Sequence, residues 1–317
     1  MEFSVLGPLR MADNGRPYTP TAPKPRQLLA LMLLNANQVV SNSTCIEELW
    51  EDSPPSSALS TLRSYVLQLR HSLGKMPRIG GLMTARHVLE TRHGGYLFAV
   101  DGDALDVDRF TALVGEGRRA LHQDDALASS RFTEALRIWQ GTALSDVQQG
   151  PVLRARLVGL EEERRSVHEQ RIDADLRLGR HQELLGELSR LTAEYPTHES
   201  LHARFMVALY RAGRPTQALD VLQRFRTVLR DELGMEPSSR IRGLHQAILR
   251  GGPAVDMPGH GTASSTAGVE DPYVSRTPAG PPGRPTGALL SAGRATGLST
   301  GCPTRGSVGS PPRRTTR

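Results

Sequence analysis

Residues 57–74 read SALSTLRSYVLQLRHSLG, and residues 87–100 read HVLETRHGGYLFAV. In the first stretch Leu59, Leu62, Val66, Leu69 and Leu73 recur at alternating steps of three and four, so one stripe of a helix is apolar and is expected to pack on a small core. At about 100° per residue, Ser57, Ser60, Ser64, Leu67, Gln68 and His71 fall on the opposite side, while Arg63 and Arg70 share one flank. The second stretch reads as two strands, His87 to Arg92 and Tyr96 to Val100, joined by His93-Gly94-Gly95, residue types that accept tight-turn geometry.

A long amphipathic helix followed by a Gly-Gly hairpin is the layout of a winged helix. In that arrangement Ser60, Ser64, Leu67 and Gln68 face the major groove of double-stranded DNA, where small hydroxyls and an amide approach base edges and a leucine meets a thymine methyl. Arg63 and Arg70 would follow a phosphate strand, and Arg92 and His93 at the hairpin would reach the minor groove or the backbone. The competing reading is an ordinary surface helix with an edge hairpin closing a small domain. Upstream, residues 2–11 and 16–20 read as short strands around Asp13-Asn14-Gly15, since Asn-Gly is a strong turn signal. Pro23 and Pro25 precede an apolar helix over residues 26–34, with Lys24 and Arg26 at its entrance as further phosphate-binding candidates. A second helix is expected from Ser43 or Thr44 to Trp50.

The 317 residues suffice for two ordered domains. Residues 1–100 hold ten Lys and Arg against seven Asp and Glu, a modest excess that permits nucleic-acid binding without demanding it. Residues 101–250 hold 22 against 23, the balance of a domain that faces protein rather than a second DNA surface. From Asp106 to Arg250 strand signals vanish. Leu178-Gly179-Arg180 and Ala212-Gly213-Arg214 recur 34 residues apart, the tetratricopeptide period, with Ala203 to Arg211 and Gln217 to Arg230 as one helix pair. Such pairs stack into a curved surface that receives another protein. Beyond Gly251 the chain turns to Gly, Pro, Ser, Thr and scattered Arg, which predicts a disordered basic tail over 251–317. The fold class expected is therefore mainly α with a small β component. A winged helix-turn-helix over 1–100 precedes an all-α tetratricopeptide-like domain over 106–250.

Cys45 and Cys302 lie far apart, with no neighbour at metal or disulfide spacing. No signal region opens the chain, and the longest strongly apolar run, Leu28 to Leu34, is too short for a bilayer. A cytoplasmic, nucleoid-associated protein with no membrane contact is expected. His198-Glu199-Ser200-Leu201-His202 matches the His-Glu-x-x-His zinc pattern, but Pro196 and Thr197 put His198 at a helix start and no third ligand stands out, so coincidence is the stronger reading. Glu161-Glu162-Glu163 point in different directions on a helix and read as a solvated face. Trp139 and Tyr210 read as core rather than a ligand cleft. No catalytic residue, metal or cofactor is expected.

Residues 1–250 resemble the Streptomyces antibiotic regulatory protein family, an OmpR-like winged helix followed by a bacterial transcriptional activation domain. Carrying the resemblance are Phe3-Ser4-Val5-Leu6-Gly7-Pro8-Leu9, Pro23-Lys24-Pro25-Arg26, Leu69-Arg70-His71-Ser72-Leu73-Gly74, Gly95-Tyr96-Leu97 and Leu105-Asp106-Val107-Asp108-Arg109-Phe110. The helical part adds residues 135–141 (ALRIWQG), 208–214 (ALYRAGR) and 232–237 (ELGMEP). The resemblance implies a non-enzymatic activator of a biosynthetic gene cluster that binds direct repeats near promoters as a homodimer and recruits RNA polymerase. No Gly-x-x-x-x-Gly-Lys phosphate loop occurs, so a small member without the ATPase domain of larger relatives is expected. The alternative is a tetratricopeptide adaptor that binds a protein partner and no specific DNA.

Overall fold

A computed structural model of the chain describes residues 1–251; the tail expected over 251–317 lies, but for Gly251, outside them. Strands β1 (Glu2–Ser4), β2 (Arg10–Asp13) and β3 (Arg16–Pro17) form an antiparallel sheet in that order. Asn14 (φ 50°) and Gly15 (φ 76°) make the tight turn that pairs Asp13 with Arg16, as Asn-Gly predicts. Residues 2–11, however, are two strands rather than one. The chain turns back between them because Val5, Leu6 and Gly7 bond elsewhere: Gln140 N–H donates to Leu6 O (2.8 Å) and Leu144 N–H to Gly7 O (2.7 Å).

Helix α1 (Pro23–Leu34) runs through the core, and β4 (Val39–Ser41) leads into α2 (Asn42–Trp50). Ser41 Oγ caps α2 by accepting from Thr44 N–H at 3.0 Å, so the helix starts one or two residues before the position expected. Helix α3 (Ala58–Gly74) buries Leu62, Val66, Leu69 and Leu73. Leu59 departs from the expected stripe: it is 39% exposed, and Ala58 packs inward in its place. A short helix that periodicity did not announce, α4 (Leu82–Val88), follows, so His87 and Val88 are helical and strand β5 begins only at Leu89. Strands β5 (Leu89–Arg92) and β6 (Gly95–Phe98) form the hairpin, and β4 pairs on the other side of β6. Gly94 takes φ 74°, whereas Gly95 is needed for space: a Cβ there would lie 2.2 Å from Val40 O.

After a single 3-10 turn at Gly102–Ala104 the elements of the described residues are all helices: α5 (Asp106–Ala120), α6 (Asp125–Arg137), α7 (Pro151–Arg177), α8 (His181–Glu194), α9 (Glu199–Arg211), α10 (Pro215–Leu233) and α11 (Ser239–Leu249). The two repeat glycines end α7 and α9 in the left-handed conformation (φ 79° and 75°), and the next amide reaches back, Arg180 N–H to Asp175 O and Arg214 N–H to Leu209 O. The 34-residue offset is thus a repeated helix stop.

The hydrophobic core is not divided at residues 100–106. One buried cluster runs from Phe3 to Val167 and joins both sheets, α1, α3, α5, α6 and α7 as far as Val167; a second, from Ile172 to Ile248, joins the rest. The change of secondary structure near residue 100 is not an interruption of packing.

Candidate nucleic-acid interface

Two buried carboxylates fix the frame on which α3 stands. Glu48 of α2 is fully buried and accepts from Gly150 N–H (2.7 Å), Leu153 N–H (2.9 Å) and Gln27 Nε2 (2.8 Å). Gly150 and Leu153 are the cap and first turn of α7, so a side chain from α2 supplies that helix's missing cap and places negative charge at its positive end. Asp106, at the start of α5, accepts from Val5 N–H (2.9 and 3.0 Å) and Leu6 N–H (3.0 Å). Burial pushes its carboxyl above the usual range, and these amides pull the other way.

Held in this frame, α3 exposes Ser57, Ser60, Arg63, Ser64, Leu67, Gln68 and His71 on one side. Arg63 has no ion-pair partner among the described residues, Gln68 makes no side-chain hydrogen bond among them, and Leu67 is 44% exposed. The hydroxyls are more restricted than their residue type implies: Ser60 Oγ donates to Ser57 O (2.8 Å) and Ser64 Oγ to Ser60 O (3.1 Å). With those protons committed to the helix backbone, each serine offers a partner an acceptor only.

The expected cations divide into two groups. Lys24 turns inward, donating to Leu49 O and to Gln27 Oε1, and Arg26 pairs with Asp146 and donates to Pro20 O (3.1 Å). Both tie α1 to its neighbours. Arg70 donates through Nε and Nη2 to Leu89 O (2.9 and 2.7 Å) and through Nη2 to Thr91 Oγ1 (2.9 Å), locking α3 to the hairpin. Arg92 pairs with Glu90 on the same strand, its side chain still half exposed, and His93 sits exposed at the turn. Of the ten residues the sequence singles out, the structure brings Ser60, Arg63, Ser64, Leu67 and Gln68 together on one face, and Arg70, Arg92 and His93 beside it. Lys24 and Arg26 stand apart.

The motif at 198–202 is taken up by packing. His198 precedes α9 and faces Glu169 (3.4 Å), Glu199 accepts from Ser238, and the His202 ring stacks on Phe225 while its Nε2 meets Pro196 O at 3.0 Å. Among the described residues no group of three metal-ligating side chains occurs, and no helix is long and apolar enough to cross a membrane. Glu161, Glu162 and Glu163 pair with Arg164, Arg165 and Arg118, and Trp139 packs edge-on to Phe110.

Comparison with known proteins agrees with this geometry. Residues 15–98 match the family described as transcriptional regulatory protein, C terminal, and residues 105–249 the bacterial transcriptional activator domain. Regulatory protein DnrI of Streptomyces peucetius is 46% identical over 260 residues, which cover 82% of this chain and 96% of that protein. The chain belongs to the Streptomyces antibiotic regulatory protein family. As a member it is a DNA-binding transcriptional activator. Transcriptional regulatory protein EmbR of Mycobacterium tuberculosis is 33% identical, over 79% of this chain and 63% of its own length. AfsR of Streptomyces coelicolor is 36% identical over 80% of this chain, which spans only 25% of AfsR. The solved structure of Mycobacterium tuberculosis EmbR in complex with a low affinity phosphopeptide superposes with a TM-score of 0.74 at 33% identity, covering 80% of this chain and 65% of EmbR.

The sequence reading missed Glu48, Asp106 and Asp146, whose partners lie roughly a hundred residues or more away. Nor did it single out Arg86, which stands exposed on α4. A finer count of charge would have drawn attention there: from Ala58 to Phe98 the chain has six Lys and Arg and a single acid, Glu90.

Proposed function

We propose that this activator binds direct repeats beside the promoters of a biosynthetic gene cluster, as a homodimer, and recruits RNA polymerase through its helical domain. It acts in the cytoplasm, on the nucleoid, and catalyses no reaction. The observation that carries the reading is the α3 face: an arginine, an amide, a half-exposed leucine and two hydroxyl acceptors, none of them spent on a neighbouring element. Gln68 and Leu67 have the chemistry to read an adenine edge and a thymine methyl, and Arg63, Arg92 and His93 to hold the backbone on either side. Arg70 contributes by fixing the angle between α3 and the hairpin. The continuous core beneath makes the DNA-facing half and the first helices of the activator domain one packed body, so an operator-bound α3 holds the helical domain at a set position relative to the promoter.

Gel shift and footprinting of the purified protein on promoter fragments beside its own gene, with excess nonspecific competitor, test this. Protection of regularly spaced direct repeats is the expected result. Salt-sensitive protection without sequence preference would overturn it and favour a tetratricopeptide adaptor.

A further inference from the structure

The short helix α4 lies between the reading helix and the hairpin and has no part in the contacts assigned so far. Its position is fixed tightly. Gly74, the last residue of α3, packs so close to Gly81 and Leu82 that a Cβ on it would fall 3.0 Å from their backbone, and Ala85 is fully buried against the core. With Ala85 inward, Arg86 and His87 stand exposed. Three residues after Arg86 comes Leu89, whose carbonyl is gripped by Arg70. Two guanidiniums are therefore set around one junction, and Arg86 has neither a hydrogen bond nor an ion pair among the described residues. Burial pushes the Arg70 guanidinium below its ordinary value; Tyr96 pulls the other way, and the nearby Arg86 charge adds a smaller downward push. The one acid in the stretch, Glu90, already pairs with Arg92.

Like charges held together on a rigid surface without a counter-ion repel one another, and a polyanion that approaches them relieves that repulsion while releasing its own condensed cations. We propose that α4 is a second DNA-contacting element, in which Arg86 takes a backbone phosphate next to the stretch that α3 follows. This rests on the reading of α3 as the groove-facing helix. It adds a contact that positions the protein on the duplex without reading a base, and it explains why an acid-poor stretch extends beyond α3 through α4 to the hairpin.

The test is the salt dependence of operator binding by the full chain, wild type against Arg86→Ala, Arg86→Lys and Arg63→Ala. Arg86→Ala is expected to lower the log–log salt slope by about one and to weaken binding about five- to tenfold at 0.15 M salt, equally on operator and mismatched duplexes. Arg86→Lys should retain the slope. Because the side chain is exposed, urea midpoints should match wild type, so a lost contact is separable from a lost fold. A full slope in Arg86→Ala beside a reduced one in Arg63→Ala would overturn the α4 contact alone. Wild-type protein that ignores duplex DNA would overturn the α3 reading and this proposal together.

Discussion

The polar groups under α2 and those on the outer face of α3 sit on helices that pack against each other, yet they are used in opposite ways. At the seam Glu48 is fully buried and satisfied by three donors, and Asp106 by two backbone amides. On α3, Arg63 and Gln68 are exposed with no side-chain partner among the described residues. A buried carboxylate persists only if its hydrogen bonds are made within the fold, because desolvation otherwise costs more than the group contributes. An exposed amide on a helix that already buries its other stripe has no such requirement. The seam therefore carries the architecture and the α3 face the recognition, and substitutions in the two places should fail differently.

The largest effect is expected at the seam. Glu48→Ala strands the Gly150 and Leu153 amides and leaves Gln27 Nε2 only its bond to the residue 48 carbonyl, and should lower unfolding free energy by about 3 kcal/mol in urea titration. Glu48→Gln, which keeps one acceptor, should cost about half as much. A stability change below about 0.5 kcal/mol in Glu48→Ala would erase the distinction between the two regions.

His202 sharpens the same contrast through pH. Burial pulls its pKa from 6.5 down to about 4. The unfolded chain then binds the proton more readily than the folded one between those values, so stability is retained above 6.5 and lost as pH falls toward 4. The linkage limits the loss to about 3 kcal/mol, and a drop of about 2 kcal/mol between pH 7 and pH 4.5 is expected. His202→Phe, which can keep the stack on Phe225, should flatten that part of the pH profile. An unaltered profile would mean that the ring is not the group that titrates.

Much of this was legible in the chain because it is local. The α3 stripe, the Asn-Gly turn and the glycine stops near 179 and 213 each depend on residues within one or two helical turns. Leu59 was misplaced because a sequence period cannot tell which of two adjacent apolar residues, Ala58 or Leu59, packs inward at a helix start. Helix α4 was invisible for a related reason: it buries only Ala85, too little for a periodic signal. The seam was illegible because Glu48 and Gly150 are a hundred residues apart, and nothing in the composition of either segment announces the other. Lys24 and Arg26 show the converse: a cation near a helix entrance looks available in the sequence, and the structure sets Leu49 O and Asp146 beside it.

On the α3 face the expected effects are smaller and leave folding intact. Arg63→Ala should weaken binding to any duplex about tenfold at 0.15 M salt and lower the salt slope by about one; an unchanged slope would remove Arg63 from the contact set. Leu67→Ala should have the smallest effect, about 1 kcal/mol, confined to an operator thymine, because only a methyl contact is lost. Replacing that thymine with uracil removes the same contact from the other side. If Leu67 touches the methyl, uracil weakens wild type by about as much as Leu67→Ala does, and the two changes together cost little more than either alone. Additive losses would place Leu67 off the groove, and would require α3 to sit with its Ser60–Arg63 edge, rather than its centre, against the bases.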